Sequence, residues 1–260
     1  MDERLPVSIL LLARSEEARL RELLPRLAFA REIVVVVDPA GGDGTRAVAE
    51  DLGARVFVRA LDGFGPQRRF ALAQCREPWV LWIDADERLD EVAEGSVRAA
   101  LRSEPPPGLG GWRLERRTWF MGRRIRFCGW RGERILRLFR RAAASFDDAP
   151  VHERVTVAGS IGTLDGVIEH HSYDTWEDCR DKLVRYAAAG ADRARRAGKR
   201  AGPLDLLLRP PLRFARMYVL QLGVLDGGRG VAVCALAAAQ VFLKYADLWA
   251  SSVRGRTERP

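Results

Sequence analysis

The chain is short of cysteine and histidine. Its four cysteines, Cys75, Cys128, Cys179 and Cys234, are scattered over 260 residues with no C-x-x-C spacing. Neither a zinc site nor a disulfide framework follows from them, and the sparse use fits a reducing compartment. No G-x-G-x-x-G follows the first apolar run, which argues against a dinucleotide-binding fold. No Walker A pattern is present either, because "GGDGT" (41–45) lacks the lysine and the spacing. Long uncharged runs are missing too. The stretch Gly230–Leu243 holds 14 uncharged residues, whereas a spanning helix needs about 20, so a bilayer crossing is not expected. The N-terminal "MDERLPVSILLLARSEE" opens with acids and has too short an apolar run for a secretory signal.

What is present is a hydrophobic content of 47% and a net charge of +8 carried mostly by arginine. That is enough apolar material for a real core and a balance that suits a polyanionic partner. "PVSILLLAR" (6–14), "EIVVVVD" (32–38), "ARVFVRA" (54–60) and "WVLWIDAD" (79–86) read as strands. Helical stretches alternate with them at 15–28, where Ser15 is the expected N-cap, then at 45–53, 65–75 and 91–102. Such alternation predicts a parallel α/β sheet with helices on both faces. After "SEPPPGLGG" (103–111) the pattern changes to short strands rich in Arg and Trp up to residue 173, then to helix from Trp176 onward.

In parallel sheets ligands sit at the carboxyl ends of the strands. Arg14-Ser15-Glu16, Asp38 and Asp84-Ala85-Asp86 all fall at such ends. Asp84 and Asp86 repel each other unless a cation relieves them. Hard oxygen ligands suit Mg²⁺ or Mn²⁺, which keep positions open for substrate phosphates. A metal–diphosphate site is therefore expected, against the plainer alternative that "DERLDE" (86–91) only caps the next helix.

The stretches "ILLLARSEEARL", "EIVVVVDPAGGDGT", "ARVFVRALDGFGPQRRFAL", "WVLWIDADERL", "LRLFRR", "PVHERV" and "HHSY" together resemble the family 2 glycosyltransferases, in particular the lipopolysaccharide core β-1,4-glucosyltransferase branch. The resemblance implies a GT-A fold, an α/β nucleotide-diphospho-sugar transferase with a Rossmann-like, mostly parallel sheet. It would occupy 1–175, with a nucleotide-binding half at 1–102 and an acceptor half at 111–175, followed by a helical extension at 176–260. It also implies an inverting, metal-dependent sugar transfer from a nucleotide-sugar donor, a UDP-sugar favoured. By the same resemblance Arg14, Glu16, Asp38, Arg68 and Asp84 contact the donor, and Asp86 with His170 holds Mg²⁺ or Mn²⁺. The base that activates the acceptor hydroxyl is expected at Glu153, with His152 tuning or replacing it. Two departures bear on donor identity: Leu12-Ala13-Arg14-Ser15 stands where the family usually has Pro-Thr-Lys-Asn, and Arg69 where Asn is common. Trp112, Trp119 and Trp130 are read as core of a small appended sheet rather than as sugar-stacking platforms.

Arginines at 193, 195, 196, 209, 213 and 216 are interleaved with Leu, Phe and Tyr. This composition predicts an interfacial helix or a hairpin broken at "DGGRG" (226–230), held against an anionic membrane surface. A lipid-linked glycan acceptor and a peripheral place at the cytoplasmic face of the membrane follow as expectations. Two other classes fit the sequence less well. A basic nucleic-acid-binding module leaves Asp38 and the D-x-D unexplained, and no nucleic-acid motif is present. A nucleotidyltransferase would show a glycine-rich loop after the first strand, and "LLARSEEARL" has no glycine.

Overall fold

A computed structural model describes residues 4–147 and 155–257. The chain begins with β1 (Leu5–Ala13), α1 (Glu17–Arg26), β2 (Ala30–Val37), α2 (Thr45–Asp51), β3 (Arg55–Val58), α3 (Phe64–Gln74) and β4 (Trp79–Trp82). It continues with β5 (Glu87–Leu89), α4 (Glu91–Arg102), β6 (Leu109–Phe120), β7 (Arg123–Arg124), β8 (Arg134–Arg140), β9 (Ala144–Phe146), β10 (Val155–Val157) and β11 (Ser160–Tyr173). Three helices close it: α5 (Trp176–Arg196), α6 (Pro203–Ala215) and α7 (Gly227–Thr257).

Among the described residues one sheet runs in the order β3-β2-β1-β4-β8-β6-β11-β5, with β7 on β6, and β9 and β10 form a separate pair. The β3-β2-β1-β4 half is parallel. β8 turns the direction over, pairing antiparallel with both β4 and β6. The expected strand–helix alternation is thus present, and the Arg- and Trp-rich stretch supplies the antiparallel half.

Two compact units can be distinguished among the described residues, one of 4–116 with 133–147 and 155–170, and one of 117–132 with 171–257. In the first, strand alternation sends side chains to two cores. Leu5, Val7, Ile9 and Leu11 of β1 join Val35, Leu81 and helices α1 and α4 on one side. Leu10, Val34, Val36, Val80 and Trp82 face the other side with Ala71 of α3. Each fully buried Leu or Ile contributes about 1.5–3 kcal/mol, so two-sided burial of the central strands fixes their register. The second unit has its own cluster, built on Phe120, Ile125, Cys128, Cys179, Met217 and Val233.

Some expectations need correction. Ser15 is not the cap of α1. It sits at a sharp strand-to-helix turn with φ +56°, and its hydroxyl donates to the Gly41 carbonyl at 3.0 Å. Capping comes from the glycine turn instead: the Glu17 N–H donates to Asp43 (3.2 Å) and the Glu16 N–H to Thr45 Oγ1 (2.8 Å). A Cβ on Gly41 would lie 2.9 Å from the Ser15 nitrogen, so glycine here serves close approach of two backbones. "DERLDE" divides between two tasks: Glu87–Leu89 form strand β5 on β11, while Asp90 does cap α4, accepting from the Ala93 N–H at 2.7 Å.

The membrane arithmetic also changes. Counting uncharged residues missed a helical stretch, Gly223–Val253, that is long and apolar enough to cross a bilayer by length and composition, with mean hydropathy 1.5 and only 17% of the window buried. Isolated charges inside it broke the run without making the helix polar.

Candidate active site

Strand β4 ends at Trp82, and the chain then turns through Ile83-Asp84-Ala85-Asp86 into β5. The acids after the apolar run do not share one fate. Asp84 accepts from Arg68 (3.1 Å) through one oxygen and from Arg137 (2.9 Å) through the other. The indole N–H of Trp82 adds a third bond to Asp84 at 3.1 Å. Glu87, fully buried, accepts from Arg137 at 2.6 Å and from the Asp84 N–H at 3.1 Å. The guanidinium carbons of Arg68 and Arg137 each lie 4.0 Å from the Trp82 ring, close enough for a cation–π contribution of about 0.5–2 kcal/mol each. Two carboxylates thus meet two guanidiniums at the end of β4. Burial pushes the Asp84 carboxyl up, but the charges of Arg68 and Arg137 outweigh it and hold the group well below the usual carboxylate range.

A cation was expected to relieve Asp84, and the chain supplies it in the guanidiniums of Arg68 and Arg137. Arg137, Glu87 and Trp82 were not singled out as site residues from the sequence. One signal was available: Arg137 interrupts the apolar run Leu136–Phe139 in a strand, and a charge buried there needs a partner.

Asp86 is placed differently. Its Oδ2 lies 3.5 Å from Nε2 of His170. The pairing of β11 with β5 sets His170 opposite Glu87, so the backbone ladder brings Asp86 and His170 together. His170 Nδ1 is buried without a hydrogen-bond partner among the described residues. One carboxylate and one imidazole suit a divalent ion of the Mn²⁺ class that keeps positions for water and phosphate. No cluster of three or more such donors occurs among the described residues, so a metal here would be held by few protein ligands.

The remaining expected residues lie along the neighbouring strand ends. Asp38, nearly buried, accepts from the Ala40 N–H at 3.2 Å and faces Arg14 at 3.5 Å. Glu16 bonds Arg19 at 3.1 Å. Arg68 is turned onto Asp84 and Trp82 and is almost wholly buried. Glu153 and His152 lie outside the described residues. Of the tryptophans, Trp112 is core and packs on Trp79 at 4.8 Å. Trp119 stacks on His171 (5.4 Å) and Trp130 on Tyr173 (6.2 Å).

Residues 8–117 match the model of Glycosyl transferase family 2. The lipopolysaccharide core biosynthesis glycosyltransferase LpsC of Rhizobium meliloti is 30% identical over 95% of this chain and 95% of its own length. The chain belongs to glycosyl transferase family 2. An uncharacterized glycosyltransferase of Rickettsia typhi is 24% identical over 96% of this chain and 89% of its own. Among solved structures, the mannosyltransferase PcManGT from Pyrobaculum calidifontis, in complex with GDP-Man and Mn²⁺, superposes with a TM-score of 0.50. It is 17% identical, with 99% of this chain and 88% of that one covered. That likeness shows the fold. This family 2 member is a glycosyltransferase with a GT-A fold and a helical C-terminal region.

Proposed function

We propose that this enzyme moves a sugar, with inversion, from a nucleotide-sugar donor to a lipid-linked glycan of the lipopolysaccharide core type at the cytoplasmic face of the membrane. The observation that carries the donor side is the separation of roles at the end of β4. Asp84 is bonded by Arg68 and Arg137, and Asp86 lies 3.5 Å from His170. Support for the acceptor comes from the relative named for core biosynthesis, which matches nearly end to end.

In this reading Asp86 and His170 hold Mg²⁺ or Mn²⁺. When bound, that ion neutralises charge on the departing nucleoside diphosphate. Asp84, fixed by Arg68, Arg137 and Trp82, presents an ionised edge of constant geometry to the donor. Asp38, Glu16 and Arg14 hold the base and ribose end. Arg68 stays in the donor-binding set, and by holding Asp84 and stacking on Trp82 it also orients the carboxylate edge offered to the donor. The acceptor hydroxyl loses its proton as it attacks the anomeric carbon, and Glu153, with His152, is the proposed base.

Thermal stabilisation by UDP, GDP, ADP and CMP, each with and without Mn²⁺, tests the donor side, since a ligand of the folded state raises stability by mass action. The expected result is a metal-dependent shift with one nucleotide that disappears in Asp86→Ala. A UDP-sugar is expected from the sequence. No shift with any nucleotide overturns the donor-site assignment.

A further inference from the structure

We infer that the turn between α6 and α7 is a built apolar wedge that inserts into one leaflet of an anionic bilayer, with the arginines beside it on lipid headgroups. The proposal deepens the membrane-side reading above and rests on it only for the lipid-linked acceptor. The surface itself is argued from the second unit.

The wedge has no cover of its own. No residue of α6 is buried. Leu204, Leu207, Leu208 and Leu212 recur at helical spacing and are 51–69% exposed. The stripe runs on into the turn through Val219 and Leu220, the latter 77% exposed, then Leu222, Val224 and Leu225. Among the described residues no other stretch gathers so many exposed large apolar side chains, whereas scattered ones would need no account.

The turn is also held in place, so the leucines stay outside. Asp226 accepts from the Arg126 N–H at 3.0 Å and the Phe127 N–H at 2.9 Å. Gly230 meets the Gly223 carbonyl so closely that a Cβ there would lie 1.9 Å from it. Leu222 takes φ +56°, a left-handed geometry that a leucine adopts only when its surroundings impose it.

Charge selects the occupant. Arg209, Arg213 and Arg216 follow the edge of the leucine stripe at helical spacing and are exposed. No acid lies between Leu206 and Leu225. An apolar strip edged by cations matches the interface of an anionic membrane. A full crossing by α7 is excluded by its partner helix. α7 packs along α5, where Arg195 bonds both Asp247 and Ser251 of α7. α5 carries Glu177, Asp178, Arg180, Asp181, Lys182, Arg185 and Asp192, and those charges would enter the bilayer with it.

Flotation of the full chain with vesicles tests this, using phosphatidylcholine alone and phosphatidylcholine with phosphatidylglycerol. The native chain is expected to float with the anionic vesicles, and Leu220→Asp with Leu225→Asp to weaken that binding at least about tenfold, one buried leucine side chain being worth roughly that factor. Arg213→Glu with Arg216→Glu should abolish the preference for anionic vesicles. The leucine positions are exposed, so the folded state should survive, and its nucleotide-induced thermal shift is read on the same sample. A lost flotation with a retained nucleotide shift supports the wedge. Flotation that fails in the native chain, or persists in the leucine variant, overturns it. A native dimer that the leucine variant makes monomeric also overturns it, by naming a second copy as the occupant. Flotation that behaves as expected with no nucleotide shift for any donor leaves the wedge standing and overturns only the donor reading.

Discussion

Arg137→Met is the most informative single change. Arg137 is 3% exposed and donates to both Asp84 and Glu87. Methionine keeps the unbranched stem and removes the charge. Asp84 retains Arg68, but Glu87, fully buried, loses its guanidinium. Removing one partner of a buried ion pair costs about 3–5 kcal/mol, because the remaining charge is left uncompensated. For a unit of this size that corresponds to a fall in Tm of roughly 6–20 °C. The pH dependence gives a second handle. In the native chain the depressed Asp84 carboxyl contributes stability that is fully present above the ordinary carboxylate range and is lost only as pH falls through its lower folded value. Its contribution is therefore flat between pH 5 and 7.5. A carboxylate stranded without a counter-charge instead binds a proton more readily folded than unfolded, so the variant gains stability as pH falls. Circular dichroism melts at both pH values should show a gap between variant and native that narrows toward pH 5. Arg137→Lys should fall between the two, since an ammonium keeps the charge but lacks the planar fork and the stacking on Trp82. A Tm loss under 2 °C, or a gap that widens on acidification, would refute the account of the network.

Three further outcomes are expected. Asp86→Asn and His170→Ala should each weaken Mn²⁺ binding in the presence of the stabilising nucleotide by at least about tenfold, a factor typical for disturbing a metal site, measured by titration calorimetry and independent of turnover. Glu32 is pushed up by burial but brought below its ordinary value by bonds from Ser8, the Arg76 N–H and Arg55; its contribution is present above the normal glutamate range and lost on acidification. Glu32→Gln should cost about 1.5–3 kcal/mol at pH 7 and make acid unfolding shallower between about pH 3 and 5, read by fluorescence. Gly166 has φ +87°, and a Cβ would lie 2.1 Å from the Ala93 nitrogen; Gly166→Ala should cost about 2 kcal/mol or more in urea denaturation.

The parallel half of the sheet was legible because its strands are buried on both faces and read as unbroken β-branched and leucine runs. Asp38, Asp84 and Asp86 were legible for the same reason, as polar residues where such runs stop. The glycine turn was recognised as a turn, but its work in capping α1 was not, because the bonds run from Asp43 and Thr45 back to residues 26 or more positions earlier. Arg137 escaped because its partners lie 50 and 53 residues away, on strands whose antiparallel pairing no local pattern announces. β5 escaped for a different reason: three residues are too few to show a period, and the strand exists because β11 is there to pair with it. His170 was assigned by resemblance alone, and the ladder between β11 and β5 supplies the physical reason it lies beside Asp86.

The arginines around Asp84 give the chain its own counter-ions at the end of β4. A site whose charges are balanced only by a cofactor would wait for that cofactor before its walls could close. Here Asp84 and Glu87 are balanced by Arg68 and Arg137 of the same chain. On the proposed reading, metal loading would be a late and exchangeable event, and a shortage of metal would idle the enzyme without unfolding it.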